Sequence, residues 1–222
     1  MTKAKWIWIG FLGILYAGFW AWYGGNGDPL TEAEGEELLS RMEQMYDLDR
    51  DEAPAGSMLR NLADMIPRDD GREFYAVNLE TRKQGPEAIA AEEEYTGRVV
   101  PLLLARGSHP VFLSEPAGLM LGEYGNEIDR VAVIRYRSLR DLIDMILDPA
   151  MTDAREYKYG ALEHTEVFIT RPTLTFVQVR LMVGLLVLAL AWAGLAVIGR
   201  LEERKSAGDS AQSVPLLGRD YA

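Results

Sequence analysis

The run Asp129-Arg130-Val131-Ala132-Val133-Ile134-Arg135-Tyr136-Arg137-Ser138 leads directly into Leu139-Arg140-Asp141-Leu142-Ile143-Asp144-Met145-Ile146-Leu147-Asp148-Pro149. Its first half is dense in β-branched residues and predicts a strand over 130–136. Ser138 can cap a helix in which Leu139, Leu142, Ile143, Ile146 and Leu147 form an apolar stripe of helical period. A strand that runs straight into an amphipathic helix needs a partner for each apolar face, and a sheet backed by helices supplies both.

The flanks extend the same alternation. Upstream, Glu73–Glu80 (EFYAVNLE) reads as a strand between glycines, Pro86–Arg106 as a helix, and His109–Ser114 as a second strand. The Gly-containing stretch 115–126 reads as an irregular connection. Downstream, Asp148-Pro149 interrupts the capped helix, a further helical piece runs to about Glu163, and His164–Thr170 (HTEVFIT) is a fourth strand that Pro172 stops. The predicted order is βαββαβ, the ferredoxin-like arrangement of an α+β domain over 73–172. Helices would cover one sheet face. The other is too apolar to stay wet, and a second copy of the same sheet is its expected cover.

Outside this domain the composition changes. Trp6–Tyr23 is 18 uncharged residues, which as a helix would cover roughly 27 Å, close to the hydrocarbon thickness of a bilayer, about 30 Å. Leu181–Gly199 is a second uncharged run. These predict transmembrane helices within 1–24 and 174–200. Trp6, Trp8, Trp20, Trp22 and Tyr23 sit at the ends of the first span, where interfacial aromatic belts belong. The span ends in Phe19-Trp20-Ala21-Trp22-Tyr23, bulky where a signal peptidase needs small residues, so a retained anchor is expected. Lys3 and Lys5 precede it, and Arg200, Arg204 and Lys205 follow the second span, whereas 24–43 carries only Arg41. Both termini are therefore expected in the cytoplasm, with 25–172 in the periplasm of a bacterial inner membrane. Arg171 and Arg180 on the outer flank run against this asymmetry, although Arg180 can snorkel.

Between the first span and the domain, 25–72 reads as a linker with two amphipathic helices. Thr31 and Glu34 form a capping-box pattern ahead of Leu38, Met42, Met45 and Tyr46, and Met58, Leu59, Leu62, Met65 and Ile66 mark the second helix. Both stripes are expected to pack onto the following domain. The tail 201–222 is small and polar and is expected to be disordered.

Charge is unevenly distributed. The 222 residues hold 23 Lys+Arg and 34 Asp+Glu, a net −11, with no cysteine. Residues 28–172 alone hold 16 against 30, or −14, and the remainder 7 against 4, or +3. An acidic domain excludes nucleic acid as a partner and is repelled by anionic headgroups. The absence of cysteine excludes disulfides, thiolate metal sites and a thiol nucleophile.

Several of these blocks resemble a known family. The run 129–138 with Asp144-Met145 and Asp148-Pro149, Tyr75-Ala76-Val77-Asn78-Leu79, Tyr95 with Val99–Leu103, and Ala161-Leu162-Glu163 are similar to uncharacterised bacterial members of the dimeric α/β-barrel superfamily, akin to the NIPSNAP and EthD types. The resemblance covers about 73–172. It implies sheet-to-sheet dimerisation, often with a small cavity between sheet and helices. Arg137 stands where that branch commonly has Pro, and Leu142-Ile143 where it has an aromatic. The superfamily includes monooxygenases and isomerases beside members without assigned activity, so fold does not choose among them.

For chemistry, His109 and His164 are the only imidazoles, and no metal-ligand spacing is present. No cofactor motif occurs. Asn78, Arg135, Tyr136, Asp144 and Tyr157, with Asp148 at the helix break, are the candidate polar groups for a ligand pocket. The expected function is a membrane-anchored, exported module that self-associates or binds a small ligand, suited to an accessory subunit of a membrane complex. The alternative is a membrane-tethered dimeric-barrel enzyme, monooxygenase- or isomerase-like, acting on a small organic substrate near Tyr136.

Overall fold

A computed structural model describes residues 1–24, 27–175 and 178–212. The chain divides into two compact units, Met1–Ala21 with Val177–Ala222, and Trp22–Phe176.

The first unit is an antiparallel pair of long helices, α1 (Lys3–Tyr23, whose last two residues belong to the second unit) and α7 (Val179–Gln212). Both are long and apolar enough to cross a membrane. Lys5 pairs with Glu202 at 3.1 Å, the Trp8 indole donates to the Leu190 carbonyl at 3.3 Å, and the Tyr16 hydroxyl to the Arg180 carbonyl at 3.5 Å. Gly194 makes room for Trp8, since a Cβ there would collide with the indole nitrogen. Such small-residue contacts let apolar helices approach closely without a hydrophobic driving force. The helix runs through Gln212, past the expected end at 200, because 201–212 is rich in helix formers such as Leu, Glu, Arg, Lys and Ala. The expectation of a disordered tail therefore does not hold for 201–212, and 213–222 lies outside the described residues.

The second unit contains α2 (Glu32–Tyr46), α3 (Met58–Met65), β1 (Phe74–Arg82), α4 (Pro86–Ala105), β2 (His109–Ser114), β3 (Arg130–Tyr136), α5 (Leu139–Ile146), α6 (Pro149–Ala161) and β4 (Leu162–Thr170). It is an α+β unit around one four-stranded antiparallel sheet of order β2-β3-β1-β4. Two helices, α5 and α6, stand where one interrupted helix was expected. Asp148 separates them, accepting from the Ala150 amide at 3.0 Å ahead of Pro149 at the first helical position. Ser138 caps α5 through the Asp141 amide at 3.1 Å.

Residues 27–72 pack as part of the second unit rather than as a linker. Leu38, Leu39 and Met42 of α2, Leu59 and Leu62 of α3, and Ile66 are buried in the same core as Phe74, Ala76, Val99, Leu103, Tyr136 and Ile143. The Met-containing stripes thus close the core, as expected, but inside the compact unit. Thr31 and Glu34 form the reciprocal cap at the start of α2. Gly35 is required where the helix meets Ile66, since a Cβ would overlap that side chain.

Alternation along the strands sorts the side chains. Phe74, Ala76, Asn78 and Glu80 of β1 share the helix-covered face with Tyr136, Ile134, Ala132 and Arg130, their partners on β3. Tyr136 stacks on Phe74 with ring centroids 5.5 Å apart, and burial pushes its phenol well above its ordinary pKa.

Arg135, between those core positions, points to the other face and is nonetheless fully buried. Its Nε donates to Glu73 at 2.9 Å, Nη1 to the Gly107 carbonyl at 2.7 Å, and Nη2 to the Tyr23 carbonyl at 2.8 Å and the Gly24 carbonyl at 3.3 Å. The guanidinium lies 3.8 Å from the centroid of the Tyr23 ring. Tyr23 in turn stacks on His109, and its hydroxyl is 3.1 Å from the imidazole Nε2. Trp22 donates from its indole to the Leu104 carbonyl at 2.8 Å and accepts from Arg137 at its own carbonyl. Gly107, at φ +66°, permits this approach, because a Cβ would collide with the Trp22 oxygen.

These contacts have two measurable consequences. Arg135→Ala should strand three carbonyls and Glu73, costing roughly 3–5 kcal/mol. In a melt of the full chain in mild detergent, the transition of the Trp22–Phe176 unit should fall by on the order of 10 °C; a change of a degree or two would show that the guanidinium holds nothing. Tyr136 keeps its proton in the fold at pH values where the unfolded phenol, near about 10, has lost it. Stability should therefore decline as pH rises above about 10, and Tyr136→Phe should flatten that decline; equal slopes would refute the assignment.

Candidate functional site

The uncovered sheet face carries an ordered pattern. Register places Phe112 of β2 beside Val133 of β3, Val133 beside Val77 of β1, and Val77 beside Phe168 of β4, one apolar row across all four strands. Phe112 is 54% exposed and Phe168 45%. On one side of this row stand His109, Arg135, Tyr75 and Thr170, closed over by residues 22–24. On the other stand Ser114, Val131, Leu79 and Glu166. There the 115–129 connection is tied to the face, with the Tyr124 hydroxyl donating to Glu166 at 2.9 Å and the Thr81 hydroxyl to the Glu127 carbonyl at 2.5 Å. The Glu166 hydrogen bond raises the exposed Tyr124 phenol above its usual pKa. Two large exposed aromatics ending a valine row make one continuous apolar strip rather than scattered apolar residues.

The five sequence-selected polar residues do not converge. Asn78 is on the helix-covered face, its amide donating to the Ala132 carbonyl at 3.0 Å and the Ala76 carbonyl at 3.3 Å. Arg135 is spent on the Tyr23 segment, and Tyr136 is packed on Phe74. Asp144 is exposed, and its backbone carbonyl accepts from Arg106. Tyr157 lies under the Arg98 guanidinium at 4.8 Å, in a surface depression shared with Thr152, Asp153 and Glu156. Asp148 pairs with Arg106 at 2.8 Å; that bond first, then the Ala150 amide, holds its carboxyl below the ordinary range. His109 and His164 occupy the open face on different edge strands and at opposite ends of the sheet, His109 beside Arg135 of β3 and His164 beside Thr81 of β1. No group of three or more His, Asp or Glu able to hold a metal occurs among the described residues.

A polar group absent from those expectations lies on the helix side. Arg130 donates to Glu80 at 2.6 Å and also to Glu92, and Glu80 is only 7% exposed. The Tyr95 phenol is pushed up to about 12, by burial first and then by Glu80. The Lys158 amine makes no hydrogen bond or ion pair with another described residue, and desolvation lowers its pKa while Glu80 pulls the other way. In the sequence, Glu92 reads as part of the solvated triplet Glu92-Glu93-Glu94. Only the 38-residue step back from Arg130 shows that it faces inward. The period-2 alternation that puts Phe74 and Ala76 inside does mark Glu80 and Arg130 as inward-facing, and was the available signal.

No family model matches this chain. No curated protein matches it either. Solved structures of similar chain path exist. A protein of unknown function from Rhodopseudomonas palustris is 20% identical with a TM-score of 0.47, over 52% of this chain and 94% of that one. SnoaB, a cofactor-independent oxygenase from Streptomyces nogalater, is 14% identical with a TM-score of 0.34, over 47% and 97%. The hydroxynitrile lyase of Passiflora edulis is 12% identical with a TM-score of 0.36, over 47% and 96%. At TM-scores below 0.5 none of these likenesses bears on what this chain does.

Proposed function

We propose that this chain is a two-pass membrane protein whose ferredoxin-like domain self-associates through its open sheet face, as a module of the dimeric α/β-barrel type. The observation that carries the reading is the row Phe112, Val133, Val77, Phe168. It reads the same from either edge, so a two-fold axis can lay it across the same row of a second copy. Burying the two phenylalanines and two valines removes apolar surface from water at roughly 25 cal/mol per Å². The ionisable groups that meet on this face, Arg135, Glu73, Tyr23 and His109, are engaged with one another and with the backbone of residues 23–24.

In this reading α1 is a retained anchor and both termini lie in the cytoplasm, with 25–172 in the periplasm. Two features support the placement. The antiparallel helix pair sets Lys3 and Lys5 at the same end as Arg200, Arg204 and Lys205, and Tyr23 at the end of α1 is a buried partner of Arg135. A peptidase cut at or before Tyr23 would remove part of the domain's own packing. A two-pass anchor with an acidic, self-pairing domain suits an accessory subunit of a membrane complex. The enzyme alternative draws on one observation, the inward Glu80–Arg130 pair beside Tyr95 and the desolvated Lys158 amine, which is the setting for a small polar ligand rather than for the expected site at Tyr136.

Phe112→Asp combined with Phe168→Asp should convert a dimer of the full chain in mild detergent to a monomer that keeps its far-UV circular dichroism, measured by light scattering, and should remove the concentration dependence of the melting temperature. A wild-type chain that is monomeric at tens of micromolar would defeat the reading. Reporter fusions at each terminus should both report the cytoplasm; a periplasmic signal from either would overturn the topology.

A further inference from the structure

The row Phe112, Val133, Val77, Phe168 is matched by a second copy about either of two axes. One runs along the strands, midway between β1 and β3, and keeps both sheets pointing the same way. The other runs along the row and turns the second sheet end for end. The two ends of the sheet are not equivalent. The chain enters this unit at Trp22 and Tyr23, and Arg135 binds the Tyr23 and Gly24 carbonyls. It leaves after Thr170, which lies opposite Tyr75, itself opposite Arg135. Entry and exit therefore share the end marked by His109, Arg135, Tyr75 and Thr170. The entry has no slack, because α1 runs unbroken to Tyr23, which is only 5% exposed. Eight residues, 171–178, separate Thr170 from the start of α7 at Val179.

We infer that the two sheets pair with their two-fold axis along the strands, so that Phe112 lies over the second copy's Phe168 and Val133 over its Val77. The inference rests on the two-pass, sheet-paired reading above and adds the direction of the second copy. Copies inserted in one bilayer in the same sense carry the anchored end of the sheet on the same side. An axis along the row would carry one copy's anchored end to the far end of the other. The exit segment is long enough to reach round a seven-residue strand at roughly 3.3 Å per residue, but the entry is not. The next row agrees. With the axis along the strands, Ser114, Val131, Leu79 and Glu166 lie over their own row, which sets Val131 on Leu79. Turned end for end, they would meet the row sealed by residues 22–24. One term opposes: the two 115–129 connections come to the same end, and each carries four carboxylates and no Lys or Arg. Glu115 is paired with Arg82 and Asp129 accepts from the Arg82 amide, while Glu123 and Glu127 are exposed. Repulsion between such exposed charges is screened beyond about 8 Å at physiological salt, whereas an apolar span cannot leave the lipid.

The chain has no cysteine, so introduced thiols report alone. In membranes from cells expressing Ser114→Cys and Glu166→Cys full-length chains together, a short bismaleimide should give the heterodimer as the main cross-linked product. Val131→Cys with Leu79→Cys is a second pair, should either of the first variants fail to fold. Phe112→Cys chains alone should give no homodimer, because the two copies of residue 112 stand on opposite edges, about 14 Å apart sideways across three strand spacings. A cross-linked Phe112→Cys homodimer would put the axis along the row and overturn the inference. If neither pair cross-links while the unaltered chain sediments as a dimer that Phe112→Asp with Phe168→Asp abolishes, the direction fails and the sheet-face pairing stands. If the unaltered chain is monomeric at tens of micromolar, the pairing fails and the direction with it.

Discussion

A fully buried guanidinium organises the sheet's second face. Taking an arginine out of water is expensive unless every donor is answered, and Arg135 answers them with one carboxylate, three backbone carbonyls and an aromatic ring. Those partners come from three separate places in the chain: residues 23–24, Glu73 and Gly107. The demand of one charge for hydrogen bonds therefore fixes where the end of α1, the start of β1 and the α4–β2 turn must meet. The Gly107 approach to Trp22 and the Tyr23–His109 stack are consequences of meeting that demand.

The two faces of the sheet divide the remaining work. On the helix side, period-2 alternation places Phe74, Ala76, Ile134 and Tyr136 against α4 and α5, and α2 and α3 complete the same core. Farther along, the same alternation forces Glu80 and Arg130 inward, where they satisfy one another and Glu92. On the open side, one end is sealed by 22–24, the other is bridged by the 115–129 connection, and the middle row is apolar and uncovered.

Much of the element order was legible because it rests on local rules. The strand 130–136, the Ser138 cap, the Thr31–Glu34 box and the break at Asp148-Pro149 are each decided by residues within one or two turns of each other. Arg135 was legible only as a polar residue on a strand, since its burial depends on carbonyls 28 and 112 positions away. The same limit applied to 25–72, where amphipathic stripes announced helices but not whether their packing made a separate linker or part of one core. The candidate polar residues were chosen by their positions at strand ends and helix breaks. Asn78, Arg135 and Asp148 turned out to be spent on backbone or ion-pair partners that no spacing encodes.

The tie between Tyr23 and Arg135 spans 112 residues, and Trp22 to Arg137 spans 115. Loops of that length close slowly, because chain entropy is surrendered before the contact repays it. During synthesis the aromatic end of α1 emerges first; Leu104 and His109 follow, and the two arginines that complete its contacts come only with β3 and the residue after it. The Trp22–Phe176 unit therefore cannot mature piecemeal from its amino end. Its assembly waits on β3, which brings the arginine that ties Tyr23 to the sheet and is followed at once by the one that ties Trp22.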